Sequence, residues 1–110
     1  MDITYNIQNL GNNILLLTED TSIDAPYFLA VITDPWTATI KSAVITPQGC
    51  DKAWELNFVG VNENYEDLLS GEIFFDNLGT WKAAIYEQSG AANTNADNAI
   101  FLININLQVQ

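Results

Sequence analysis

Apolar and polar residues alternate along most of this chain, and the period is that of strands rather than helices. The clearest run is Ala99 to Gln110. Phe101, Ile103, Ile105, Leu107 and Val109 alternate there with Leu102, Asn104, Asn106, Gln108 and Gln110, which predicts an apolar inner face backed by amides. Trp54 to Val61 repeats the pattern, with Trp54, Leu56 and Phe58 inward and Glu55 and Asn57 outward. Gly71 to Gln88, GEIFFDNLGTWKAAIYEQ, reads as strand, tight turn, strand. Asp76 to Gly79 supplies the turn, because Asp and Asn bond their own backbone and Gly tolerates positive φ. Trp81, Ala83 and Ile85 then share one face, and Thr80, Lys82, Ala84 and Tyr86 the other.

The remaining segments follow the same logic. Ile3 to Ile7 and Ile14 to Thr18 are short strands around the turn residues Asn9 to Asn12. Pro26 opens Tyr27 to Thr33, which is apolar on both faces and belongs in the middle of a sheet, covered from both sides. Asp34-Pro35-Trp36 is a turn. Thr39 to Thr46 is β-branched and half polar, as an outer strand would be, and Pro47-Gln48-Gly49 ends it. Glu19 to Asp24, Asn62 to Ser70 and Ser89 to Asn98 read as polar loops, the second with one helical turn near Tyr65 to Leu69 that crosses between sheets. The final strand, with its amides outward, is expected at a sheet edge, open to pairing with a neighbour.

Seven or eight mostly antiparallel strands in 110 residues predict an all-β, single-domain β-sandwich. Immunoglobulin-like sandwiches often enter their sixth strand through Asp-x-Gly-x-Tyr, an aromatic corner. Asp76, Gly79 and Trp81 give a similar turn, one residue longer and with Trp for Tyr. An ordinary hairpin with an inward Trp fits the same residues. The cysteine pair of antibody domains is missing.

Charge narrows the range of partners. Lys and Arg total 3 against 14 Asp and Glu, a formal net charge of −11, with no His. Lys41, Lys52 and Lys82 cannot form the cationic cluster that displaces counterions from nucleic acid, so no direct nucleic-acid contact is expected. An anionic membrane surface is disfavoured on the same ground, and no apolar run is long enough for a spanning helix. The start, Met1-Asp2-Ile3, lacks the basic and apolar regions of a signal peptide, which predicts synthesis in a cytoplasm. The single cysteine, Cys50, reads as a structural thiol, since no His is present to activate it.

Little in the sequence points to catalysis. Glu63, Glu66 and Asp67 form the densest carboxylate group. They read first as a solvated acidic loop, second as a calcium site without the regular ligand spacing, and last as a catalytic pair. The 6 glycines stand singly at turns, with no phosphate-binding loop among them. No enzyme activity, cofactor or metal is expected. Trp54 and Trp81 fall on inward faces, leaving Trp36 as the exposed aromatic: an anchor for a protein contact or a ring lying across its own turn. Trp36, Asn104, Asn106 and Gln108 are therefore the candidate interface residues.

Several segments carry a resemblance: Tyr27-Phe28-Leu29, Leu68-Leu69-Ser70-Gly71-Glu72-Ile73, Gly79-Thr80-Trp81-Lys82 and Ile85-Tyr86-Glu87-Gln88, then the polar loop Asn93 to Asn98 and the alternating last strand. In this order the chain resembles small structural proteins of tailed bacteriophages of Bacteroidota hosts, crAss-like phages included. The likeness spans residues 14 to 110 in pattern and is weakest from Trp36 to Asp51. Asn104-Ile105-Asn106 stands where the family commonly has Gly. The resemblance implies a virion component, most simply an auxiliary or minor capsid (decoration) subunit. It would bind the major capsid protein or other virion proteins, in multiple copies in a symmetric assembly. The acidic charge places it on the outer side, away from packaged DNA. A tail, connector or fibre-associated subunit and a carbohydrate- or receptor-binding module are the alternatives.

Overall fold

The computed structural model describes residues 3–17, 27–45, 48–50, 53–88 and 99–110. Within them nine strands run in chain order: β1 (Ile3–Ile7), β2 (Gly11–Leu17), β3 (Tyr27–Thr33), β4 (Ile40–Ile45), β5 (Gln48–Cys50), β6 (Ala53–Gly60), β7 (Glu72–Ile73), β8 (Gly79–Gln88) and β9 (Ile100–Val109). Two 3-10 turns, Glu63–Tyr65 and Leu68–Ser70, lie between β6 and β7. The larger sheet has five strands in the order β1-β9-β8-β3-β4, and the smaller is β2-β6-β5 with β7 also on β6. The pairs β1–β9 and β6–β7 are parallel; the other strand pairs are antiparallel.

The architecture is an all-β sandwich, because each strand has one apolar face and the two faces close on each other. Phe28, Ala30 and Ile32 of β3, Trp81, Ala83 and Ile85 of β8 and Ile105, Leu107 and Val109 of β9 meet Leu15, Leu17, Leu56, Phe58 and Ile73 of the smaller sheet in one core. Trp54 is half-buried and packs edge-on against Phe28, with ring centroids 6.0 Å apart. β3 lies between β8 and β4, and its Phe28, Leu29 and Ala30 are all buried, as its unbroken apolar run requires.

The helical turn near Tyr65 to Leu69 does not cross between sheets, because the two 3-10 turns there join β6 to β7 within the smaller sheet. The structure corrects four further expectations. Gly71 to Gln88 is not a hairpin, since β7 belongs to the smaller sheet and β8 to the larger. Asp76 to Gly79 is therefore part of a crossing between layers. The crossing is held by Trp81, whose Nε1–H donates to the Asn77 carbonyl at 2.9 Å and whose ring meets Phe75 edge-on at 5.2 Å. Second, β9 is not an edge strand. β1 pairs along it in parallel, from Ile3 against Ile105 to Ile7 against Val109. Third, Phe101 does not point inward. A register shift places Ile103 against Ile85 but Phe101 against Tyr86, so one extra residue in β9 turns Phe101 outward, where it stacks edge-on with Tyr86 at 5.6 Å. Fourth, Gln48 and Gly49 do not end a strand. With Cys50 they form β5, paired with β6. The expected loops at Glu19 to Asp24 and Ser89 to Asn98 lie outside the described residues, and so does the Cys50 side chain.

The first crossing between sheets, from β1 to β2, is pinned by Asn13. Its Oδ1 accepts from Gln8 N–H and its Nδ2 donates to the Gln8 carbonyl, both at 2.9 Å. Gly60, at the end of β6, faces this crossing so closely that a Cβ there would lie 2.2 Å from the Asn9 carbonyl oxygen. Backbone cannot yield as a flexible side chain can. Gly60→Ala is expected to cost about 2–4 kcal/mol and to lower Tm by roughly 10–20 °C, read by thermal circular dichroism.

Candidate functional site

One end of the sandwich is built from the β3–β4 turn and the β7–β8 crossing. Asp34 starts the turn as the sequence predicts. Its Oδ1 accepts from the N–H groups of Trp36 at 2.7 Å and Thr37 at 3.1 Å. The other oxygen accepts from Asn77 Nδ2 at 2.8 Å, which ties the turn to the crossing. Burial pushes the Asp34 carboxyl up, but the donors on Trp36, Asn77 and Thr37 outweigh it, and the pKa lies below the ordinary 3.8. Ala38 closes the turn at φ 59, a conformation that usually falls to Gly or Asn.

Trp36 stands on this turn. It is 75% exposed, yet it does not swing freely, because its Nε1–H donates to the Leu78 carbonyl at 2.9 Å. Gly79 follows at φ 125, and a Cβ there would lie 3.5 Å from Pro35 and 3.6 Å from the Trp36 indole nitrogen. Trp36 thus spans two loops, rather than lying across its own, and presents its ring beside the exposed Leu78. An exposed aromatic held in one pose has little ordering entropy left to lose on contact.

Lys41 guards the open side. It projects inward from the edge strand β4, where an uncompensated cation would be costly. Its Nζ donates to Glu66 Oε2 and the Phe74 carbonyl, both at 2.7 Å, and to Asp76 at 3.1 Å, and lies 5.2 Å from the Phe74 ring centroid. Burial would lower its pKa, but hydrogen bonds and charge attraction from Glu66 and Asp76 raise it above 10.5. Glu66 Oε2 also accepts from Phe74 N–H at 2.8 Å, and Asp67 accepts from the Ser70 hydroxyl at 3.0 Å. The carboxylates of Glu66 and Asp67 are thus engaged in holding the acidic segment together. No group of three or more His, Cys, Asp or Glu residues among the described residues is arranged to hold a metal ion.

Asn104, Asn106 and Gln108 lie elsewhere, on the outer face of the larger sheet. Asn104 is opposite Ala84, Asn106 opposite Lys82 and Gln108 opposite Thr80, whose hydroxyl bonds the Gln108 side chain. A shallow depression of about 290 Å³ lies over Ala84, with Val31, Thr33, Lys82, Asn104 and Asn106 around it. The four candidate interface residues therefore fall into two places: Trp36 at the loop end and the three amides on the sheet. Asp34, Lys41 and Asn77 organise the end, and the periodicity gave them no role. Asp34 was legible as a turn former; its bond to Asn77, 43 positions away, was not.

No family model and no curated protein matches this chain.

Two expectations follow from this geometry. Lys41→Met should lower stability by about 2–3 kcal/mol, since it strips a part-buried cation from two carboxylates. A raised folded-state pKa contributes stability that is full below 10.5 and lost as pH rises through the folded value. The gap between the wild-type and Lys41→Met melting curves should accordingly close in strong alkali. Asp34 has the opposite sign: its contribution is full above 3.8 and is lost as pH falls through the lowered value. Asp34→Asn should cost about 1–2 kcal/mol at neutral pH, with the difference vanishing in acid, measured by urea unfolding across pH.

Proposed function

We propose that this protein is a non-enzymatic structural subunit of a tailed-phage particle, an auxiliary or minor capsid (decoration) subunit attached to the head shell. The sequence resemblance supplies the class. The observation that carries the reading is Trp36, a large aromatic left exposed on a rigid end and fixed by a hydrogen bond to the neighbouring loop. Such a group is a contact anchor by its chemistry: large apolar area with little freedom to lose. The sandwich then serves as a spacer that holds the anchor still against the major capsid protein or another virion component. The net charge of −11 favours the outside of the shell over the DNA-lined interior.

The strand order supports an immunoglobulin-like form of the sandwich. The second, sixth and fifth strands share one sheet, and the third, eighth and ninth the other, the partition B-E-D against C-F-G. The Trp81 bond to the Asn77 carbonyl, four residues upstream at the start of the eighth strand, parallels the tyrosine corner.

Mass spectrometry of purified virions should find the protein at stoichiometric level. Trp36→Ala should leave the thermal melt within about 1 kcal/mol of wild type, as for an exposed site, and should strip the protein from particles in a sedimentation wash. Absence of the protein from purified particles would end this reading. The same exposed indole favours a carbohydrate-binding module as the second reading; its mark would be Trp36-dependent binding on a glycan array by a protein missing from virions.

A further inference from the structure

The edges of the two sheets are finished differently. β4 points Lys41 inward and has the second 3-10 turn beside it, where a Cβ on Gly71 would lie 3.0 Å from the Val44 carbonyl oxygen. β1 turns the polar Thr4 and Asn6 outward. β5 and β7, on the far side of β6, are three and two residues long. Short strands and inward charges of this kind blunt an edge. β2 carries none of these devices. Its seven residues, Gly11–Leu17, are uncharged, contain no Pro and keep an unbroken register with β6. Its outward side chains include Ile14, 65% exposed and opposite Asn57, and Leu16, 53% exposed and opposite Glu55. Among the described residues, β2 pairs with no strand but β6.

The ladder fixes where the β2 backbone points. Val59 N–H donates to the Gly71 carbonyl at 3.3 Å and Val61 N–H to the Ile73 carbonyl at 3.0 Å, so these odd positions face β7. Phe58 and Gly60 alternate with them and face β2, opposite Asn13 and Gly11. Ile14 and Leu16 are out of phase with Asn13 and direct their N–H and C=O groups away from the sheet. The Tyr5 hydroxyl donates to the Leu16 carbonyl at 3.0 Å, which occupies one of these groups and marks their direction.

We infer that this edge receives, as an added strand, an extended segment of a partner protein with apolar side chains at alternate positions and Lys or Arg between them. The outward main-chain groups supply the hydrogen bonds. Ile14 and Leu16 supply apolar neighbours for the alternate side chains. Charge selects the cationic character of the segment. A net charge of −11 attracts such a segment and repels a second copy of the chain. Glu55 lies beside Leu16 on the same face, two strand spacings or about 10 Å from an added strand. A long cationic side chain and a carboxylate close that gap between them. Few main-chain bonds and two side-chain neighbours make a weak site, with Kd on the order of 0.1–1 mM for a short peptide. Salt screens the attraction, so binding weakens as salt rises.

The probe is a short capped peptide of alternating Val and Lys, titrated into the isotope-labelled full chain and followed by amide chemical shifts. Saturable shifts centred on the Ile14 and Leu16 amides are expected, with affinity falling several-fold from about 0.05 to about 0.5 M NaCl. Ile14→Lys and Leu16→Lys should each weaken binding about tenfold with an unchanged thermal melt. Leu69→Lys adds the same charge to an exposed position on the second 3-10 turn and should leave the affinity within about twofold. Absence of shifts at Ile14 and Leu16 would overturn the inference, as would equal binding of the peptide with Glu in place of Lys. Slow hydrogen exchange at the Ile14 amide of the free protein would overturn it too, by showing the edge already covered. Dimers of the chain that Ile14→Lys abolishes would give the edge to a second copy instead. The result is independent of particle membership, because a virion protein can fail it and a protein absent from virions can pass it.

Discussion

The structure depends on how the chain changes layers between β7 and β8. Two antiparallel-rich sheets become one sandwich only if a segment can leave the smaller one, turn, and enter the centre of the larger one with its largest side chain inward. Trp81 meets both requirements. Its ring is fully buried against Phe75, and its one polar group, which would be costly to leave unpaired in the core, is satisfied by the Asn77 carbonyl of the crossing itself. The hydrogen bond sets the shape of the turn, and the ring sets where β8 begins. From there β8 forms its long ladders with β3 and β9, which fixes the order of the larger sheet.

Other contacts complete that crossing. The Asn77 side chain reaches Asp34, and the Leu78 carbonyl receives the Trp36 indole, so two successive residues of the crossing both hold the β3–β4 turn. Lys41 then closes the side between β4 and the crossing. A cation pointing inward at an edge also discourages further strand addition, a known way to blunt exposed edges. This division of labour leaves most described charges engaged in the architecture or placed off the larger sheet. Trp36 stands exposed at one end, and Asn104, Asn106 and Gln108 lie on the outer face of the larger sheet beside Lys82 and Thr80.

Strand positions were largely legible because burial on one face imposes period two, and the chain keeps that period wherever a sheet has one face in the core. The inward Trp81, Ala83 and Ile85, the mixed faces of β6 and the central place of β3 follow from local composition. Legibility failed where the chain departs from a simple alternating ladder. The bulge that turns Phe101 outward leaves the apolar alternation of β9 unbroken in the sequence, because Leu102 and Ile103 are both apolar and either can pack on the core. The candidate site was half legible. The outward amides follow from alternation and the exposed Trp36 from its turn. The fixing of Trp36 depends on a carbonyl 42 positions away.

The sequence by itself determined an all-β domain, which residues seek the core, and a large excess of acidic over basic residues. Those are properties of side-chain chemistry and of near neighbours along the chain. Only the tertiary structure decided which strands share a sheet and that β1 and not β9 takes the edge. The same Asp-Asn-Leu-Gly turn can join two strands of one sheet or hand the chain from one sheet to the other. The choice lies in distant partners, Asp34 for the Asn77 side chain and Trp36 for the Leu78 carbonyl, whose proximity exists only once the layers have met.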